Sequence, residues 1–592
     1  MNLCRIPAVA LGLCLLLGSV SVSGAWNNPY TASEARANTL YSAFRARPKH
    51  LDPARSYSSN EYDFIAQIYE PPFQYHYLKR PYTLVPLTAV AVPQPRYLDR
   101  HGRRLPADAP IEAIVFSVFE VRIRPGIHYQ PHPAFARDAQ GRYRYHALAE
   151  RDLDGVHTVA DFRETGTREL TAADYVYQIK RLAHPKLHSP IFSIMAEYIV
   201  GLKEYVGSLK SAYTEIAGGR EEGVFLDLRK YPLVGVEEVD RYTLRVKIRG
   251  KYPQLLYWMA MPFFAPMPWE ADLFFAQPGM RARNLSLDWY PVGTGAYMLT
   301  ANNPNRQMVL ERNPNYHEDL YPADGEPEDT ARGLLKDAGR HLPFIDKVVF
   351  SLEKEDIPYW NKFLQGYYDR SSVLTESFDQ VVRFTGSGDT DVTDTMKDKG
   401  IRLLTSVATS TYYLGFNILD PVVGGLSERT RKLRQAISIA IDYEEQISIF
   451  RNGRGIAAQG PIPPGIFGYE PGQSGINTNI YDWVNGEPKR KPIEYARRLL
   501  AEAGYPNGVD AKTGAPLLLY FETPAVGPEE KAQLDWIRKQ FVKLNIQLVV
   551  RATDYNRFQE KMRKGDAQLF VWGWNADYPD PENFLFLLNG AQ

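Results

Sequence analysis

Cysteine is all but missing from this 592-residue chain; its two copies, Cys4 and Cys14, both lie within the first 25 residues. Past residue 25, no disulfide, thiolate nucleophile or cysteine metal cluster can form. Histidine is confined too. All 11 lie at or before position 341, so the rest of the chain has no imidazole to serve as base or ligand. An excess of one charge is also absent. With 69 basic and 69 acidic residues there is no general electrostatic reason to bind nucleic acid or a membrane surface. No apolar run reaches the roughly 20 residues of a spanning helix. The phosphate-binding Gly-x-x-x-x-Gly-Lys-Ser/Thr loop, the Gly-x-Ser-x-Gly nucleophile turn and the His-Glu-x-x-His helix are all lacking. His317-Glu318 has no second histidine at the required spacing, and His128 and His132 flank Pro131, which prevents a shared helical face. Asp577 and Asp580 could pair as acid and base, but they sit in a proline-rich turn, and among 69 acidic residues such pairs arise by chance. The sequence therefore predicts no enzyme, no metal and no cofactor.

What is present begins with an export signal. Arg5 is the only charge in the first 25 residues, an apolar stretch runs from Ile6 to Val20, and Ser23-Gly24-Ala25 fits a small-x-small cleavage site. The alternative, a buried N-terminal helix, would need an amphipathic face that is not there. No cysteine follows the apolar run, so the product is expected to be soluble and periplasmic, without a lipid anchor. The remaining length exceeds one hydrophobic core and predicts two or more lobes. The 38 tyrosines and nine tryptophans suit surfaces that bind through apolar and hydrogen-bonding contacts together.

Along the chain, residues 61–69 read as a helix stopped by Pro71-Pro72. Val115 to Ile123 alternates as a strand into a turn at Pro125-Gly126. Residues 131–168 and 321–340 are polar, poorly periodic stretches that read as surface insertions. A helix is predicted from Thr171, strands at 241–248, 297 onward and 308–311, a helix over 431–441, and a capping box at Asp442-x-x-Glu445. The last hundred residues alternate most cleanly: helix 493–503 ending at Gly504, strand 517–521, helix 529–544, strand 546–552, helix 555–563, strand 567–572. That order predicts an α/β parallel sheet with right-handed crossovers and a ligand beyond the carboxyl ends of its strands, just past Trp572.

Several segments, taken in order, resemble the peptide- and oligopeptide-binding proteins of ABC importers, the bacterial extracellular solute-binding proteins of family 5. They are Leu51-Asp-Pro-Ala54 with Ile68-Tyr-Glu-Pro71; Val121-Arg-Ile-Arg-Pro-Gly126 with Leu170-Thr-Ala-Ala-Asp-Tyr-Val176; and Pro291-Val-Gly-Thr-Gly-Ala-Tyr297 with Glu311-Arg-Asn-Pro-Asn-Tyr316. Arg434-Gln-Ala436 with Ala440-Ile-Asp442, the run from Ala496 to Gly508, and Gly573-Trp-Asn-Ala-Asp-Tyr-Pro-Asp-Pro581 complete the series.

The resemblance implies the bilobal periplasmic-binding fold (type II, large class). Expected are a signal peptide over residues 1–25, a first lobe over 26–75 and 230–410, an extra subdomain over 76–229 and a second lobe over 411–592. It implies a monomer that binds a peptide between its lobes and delivers it to the permease and ATPase of the importer. In the family, the stretch matching Gly573, Trp574 and Asn575 runs beside the peptide backbone, and the aspartate matching Asp577 pairs with its α-ammonium. Asp577 could instead cap the Tyr-Pro-Asp-Pro turn, and Trp574 could belong to the core. Other family ligands, namely nickel chelates, haem, sugars and opines, stay open, as do a hydrolase without a known motif and a degenerate scaffold. Family members continue past the aspartate motif, so the chain is expected to be a C-terminally truncated fragment.

Overall fold

The computed structural model describes residues 27–384, 390–525, 527 and 530–588. The predicted signal peptide with Cys4 and Cys14, and the predicted helix start at Glu529, lie outside the described residues. Among those described, no helix is long and apolar enough to cross a membrane.

Two four-stranded sheets share one large core. In the first, Thr39–Phe44, Lys347–Leu352, Gln307–Arg312 and Tyr297–Asn303 lie side by side in that order, the first pair parallel and the others antiparallel. In the second, Arg96–Leu98, Phe116–Arg122, Thr243–Arg249 and Val236–Asp240 are antiparallel throughout. Strand Thr243–Arg249 alternates Leu244, Val246 and Ile248 inward with Arg245, Lys247 and Arg249 outward, the period-2 pattern of a sheet wet on one face.

Predicted motif segments meet as the anchors of this core. Arg181, on helix Ala172–Arg181, is fully buried and grips Asp52 with both guanidinium nitrogens (2.9 and 2.7 Å) while also reaching Asp272 at 3.2 Å. Burial pushes the Asp52 carboxyl up, yet the Arg181 charge and hydrogen bonds outweigh it and hold the group below the usual range. Nearby, three segments converge on buried Glu70: Thr294 Oγ1 donates to Oε2 at 2.7 Å and His317 Nε2 lies 2.8 Å from Oε1. The amides of Gly295 and Tyr297 donate to the carbonyls of Ile68 and Gln67. A Cβ on Gly293 or Gly295 would overlap those carbonyls, so glycine is required by close backbone approach.

The third sheet has its own core. Its order is Ser410–Phe416, Leu569–Asn575, Leu518–Thr523, Gln547–Ala552, with the last three strands parallel and the first antiparallel to its neighbour. The predicted parallel unit is present. Helices Glu428–Ala440, Ile493–Glu502 and Lys531–Val542 cover it with Leu433, Ile437, Leu499, Leu500, Ile537 and Phe541. Gly504 takes a left-handed φ of +86° just past the second of these helices, as its position predicted. A smaller cluster around Trp360, Phe378, Val392 and Met396 fills the stretch of chain between the two large cores.

Three details differ from the sequence reading. Residues 131–168 are not a surface excursion, because His132, Phe135, Leu153 and Phe162 are buried in the large core through short turns. Strands Thr39–Phe44, Arg96–Leu98, Val236–Asp240, Lys347–Leu352 and Ser410–Phe416 had no predicted counterpart. The capping box at Asp442 is half-built: Asp442 Oδ1 accepts from the Glu445 amide at 2.9 Å, while Glu445 Oε2 accepts from Trp536 Nε1 at 2.8 Å.

Arg181→Leu strands Asp52 in the core and should cost about 3–5 kcal/mol, read as a lowered urea midpoint. Burial lowers the His317 pKa but Glu70 more than reverses this, so the folded value sits above 6.5. The pair's contribution is therefore complete below about pH 6.5 and is lost as pH rises through the folded value. Wild type should exceed His317→Gln in denaturant midpoint at pH 5.5, and by much less at pH 8.5.

Candidate functional site

Strand Leu569–Asn575 is paired on both sides only at its start. Toward Leu518–Thr523, the parallel register covers Leu569 and Phe570 alone, whereas toward Ser410–Phe416 it runs the full length to Asn575. The phase of the antiparallel ladder follows from its ends: the Ala576 amide donates to Thr409 O at 2.9 Å, and the Asn417 amide to Gln568 O at 3.0 Å. Because hydrogen-bonded pairs alternate, even-numbered residues spend their backbone groups on the Ser410–Phe416 strand. Gly573 and Asn575 thus turn their N–H and C=O toward the open side. A Cβ at position 573 would overlap the ring of Tyr412, so glycine lets that ring lie over the strand.

Trp574 is half-buried, edge-on to Tyr57 (5.7 Å, 90°) and Phe586 (5.1 Å, 75°), with its indole N–H donating to Asn583 Oδ1 at 3.1 Å. It is a wall between elements and not a member of either large core. Asn575 is exposed and accepts from Ser410 Oγ at 2.7 Å.

Asp577 does not cap the turn. That part falls to Asp580, whose Oδ1 accepts from the Glu582 amide at 2.9 Å. Asp577 Oδ2 instead accepts from Tyr57 O–H at 2.8 Å and from Asn583 Nδ2 at 2.9 Å. Among the described residues no lysine, arginine or histidine forms an ion pair with it. Burial raises its pKa to about 6, with the Asn583 and Tyr57 hydrogen bonds pulling the other way.

No local pattern pointed to Tyr57, which is 520 positions away. More contacts join the same two regions. Tyr578 is buried in the large core and stacks on Tyr257 (5.7 Å, 12°); Tyr252 O–H donates to Glu582 Oε2 at 3.0 Å, and Gln254 Nε2 to Asp580 Oδ2 at 3.3 Å. Lys49 Nζ reaches Glu560 Oε1 at 2.8 Å from the far side. Tyr57, Tyr252, Gln254, Tyr257 and Lys49 lie outside every motif segment. An extended backbone with unspent hydrogen-bonding groups, ending on an uncountered carboxylate between two cores, can take a chain that offers amides and a cation.

A family model described as bacterial extracellular solute-binding proteins, family 5 Middle, matches residues 165–592. The chain belongs to this family. Among curated family relatives, the chain is 23% identical over 436 residues to heme-binding protein A of Haemophilus influenzae, covering 74% of the chain and 64% of that protein. It is 22% identical over 457 residues to the dipeptide-binding protein of Escherichia coli, covering 76% of the chain and 74% of that protein. It thus spans slightly under two thirds of the first relative's length. The murein tripeptide-binding protein MppA of Escherichia coli superposes with a TM-score of 0.59 at 19% identity over 93% of the chain and 82% of its own. The periplasmic binding protein DppA of Helicobacter pylori, solved with the peptide STSA, gives 0.58 at 18% over 93% and 80%. The fold is the bilobal α/β, type II, periplasmic-binding fold of this family.

Asp577→Asn tests the uncountered charge. A raised carboxyl pKa lowers stability as pH rises from the unfolded value near 4 to about 6. Without added ligand, the variant should be more stable than wild type by about 1–2 kcal/mol at pH 8, and the gap should close at pH 4 when both are followed by urea unfolding.

Proposed function

We propose that this chain is the periplasmic binding component of an ABC importer and closes its two lobes on a peptide. The peptide's α-ammonium pairs with Asp577, and its backbone extends the sheet beside Gly573, Trp574 and Asn575. The observation that carries this reading is Asp577 itself: a half-buried carboxylate with two neutral donors and no cation, beyond a strand whose outer backbone groups are unspent. A carboxylate enclosed between lobes is costly until paired, so an arriving ammonium favours the closed arrangement. Main-chain bonding binds peptides without reading their side chains, and bridging water fills the remaining space at little cost.

The rest of the reading goes with this. The protein acts after removal of residues 1–25, as a monomer without catalytic activity, and hands its ligand to a permease and ATPase in the inner membrane. Residues 26–75 and 230–410 form the first lobe, 76–229 its subdomain and 411–592 the second lobe, with Tyr578 the point where the second lobe's chain meets the first core.

Short peptides with a free N-terminus should raise the thermal midpoint, by the equivalent of about 2.7 kcal/mol at a hundredfold excess over Kd. N-acetylated peptides should do so far less, and Asp577→Ala should erase the difference. Affinity should fall as pH drops below about 6, where the carboxyl protonates before it can pair. Equal stabilisation by free and acetylated peptides would reject the ammonium pairing. Stabilisation by haem, a nickel chelate, a sugar or an opine, with none by peptides, would reject the peptide assignment itself.

A further inference from the structure

The second lobe carries a cavity of about 420 Å³ away from the Asp577 site. Four cations line it, Arg490, Lys491, Arg497 and Lys543, against a single lining carboxylate, Asp442. Asp442 is occupied by the amide of Glu445, whose helix it caps. Ile493 adds an apolar wall and opens helix Ile493–Glu502, whose N-cap, Pro492, offers no side-chain acceptor.

The cations are held in place mainly by neutral oxygens. Arg490 Nη1 donates to Ser438 O at 3.0 Å, Arg497 Nε to Lys543 O at 3.1 Å, and Lys543 Nζ to Ala440 O at 3.3 Å and Gln540 Oε1 at 2.5 Å. Two have close carboxylates on the outer side, Glu444 with Arg490 and Asp482 with Lys491, both about half exposed. The other two do not. Glu494 is 3.9 Å from Arg497 and 72% exposed, and among the described residues no carboxylate forms an ion pair with Lys543. Capping the carbonyl ends of helices Glu428–Ala440 and Lys531–Val542 accounts for one or two N–H groups on each side chain. On Arg497 and Lys543 it leaves further guanidinium and ammonium donors with no close carboxylate among the described residues.

We propose that this cavity is an anion site that takes a phosphate group. Arg497 and Lys543 supply charge-assisted hydrogen bonds, and the uncapped start of helix Ile493–Glu502 adds its positive end. The volume exceeds that of a bare phosphate and the wall at Ile493 is apolar, so the phosphate is expected to be esterified to a small organic group. A free phosphate ester and a phospholipid headgroup share this chemistry.

The test uses the whole chain at constant ionic strength. Inorganic phosphate and glycerol 3-phosphate, each replacing chloride, should raise the thermal midpoint of wild type. Arg497→Gln, at an exposed position, should weaken phosphate binding about tenfold, with a small loss of midpoint in chloride from the lost contact to Lys543 O. Lys543→Gln should weaken it similarly, with some loss of stability from the lost helix cap. Co-sedimentation with phosphatidylglycerol vesicles but not phosphatidylcholine, lost in Arg497→Gln, would identify the headgroup as the source; phosphate binding without co-sedimentation would identify the free ester. No shift beyond the chloride control, or an equal shift in wild type and Arg497→Gln, would overturn the proposal and leave the four cations as helix caps only.

Discussion

A negative charge left without a counter-charge organises this molecule. Asp577 stands where the third sheet's central strand Leu569–Asn575 hands the chain over to the first core, and among the described residues it is satisfied by the neutral donors of Tyr57 and Asn583. Asn583 answers the Asp577 amide and the Trp574 indole with one oxygen and the Asp577 carboxylate with its nitrogen, which ties strand, turn and following helix into a single unit. Tyr57 presents its ring to Trp574 and its hydroxyl to Asp577, so one side chain meets this junction with two different chemistries.

Such a junction needs rigid supports, and the large core supplies them by the opposite strategy. There, several buried charges are matched. Arg181 meets Asp52 and Asp272, Arg168 meets Asp174 and Glu270, and Glu70 is shared between Thr294 and His317. Paired ions in the scaffold and an unpaired carboxylate at the junction give the protein a fixed frame around a point left open to a cation.

The third sheet with its covering helices was the most legible part of the sequence. Its helices carry regular apolar spacing, and Gly504 and Asp442 mark boundaries by unambiguous backbone chemistry. Strand Ser410–Phe416 was not legible because nearly all its residues are partly buried, which blurs the alternation that reveals a strand. Residues 131–168 misled for a related reason: Phe135, Leu153 and Phe162 reach the core from irregular turns, with no period to betray them. Gly573, Trp574, Asn575 and Asp577 come from one motif and lie at one strand end. Tyr57, Tyr252 and Gln254 come from the distant first part of the chain, and no local pattern encodes a contact across that separation.

The ladder phase of strand Leu569–Asn575 makes this region sensitive to parity. Excising one residue between Leu569 and Gly573 would bring Trp574 into the outward-facing register, turning its amide to the open side and its ring to the opposite face, away from Tyr57. Excising two would restore the facing of both while shortening the strand. Length variation here is therefore governed less by how many residues change than by whether the number is odd or even.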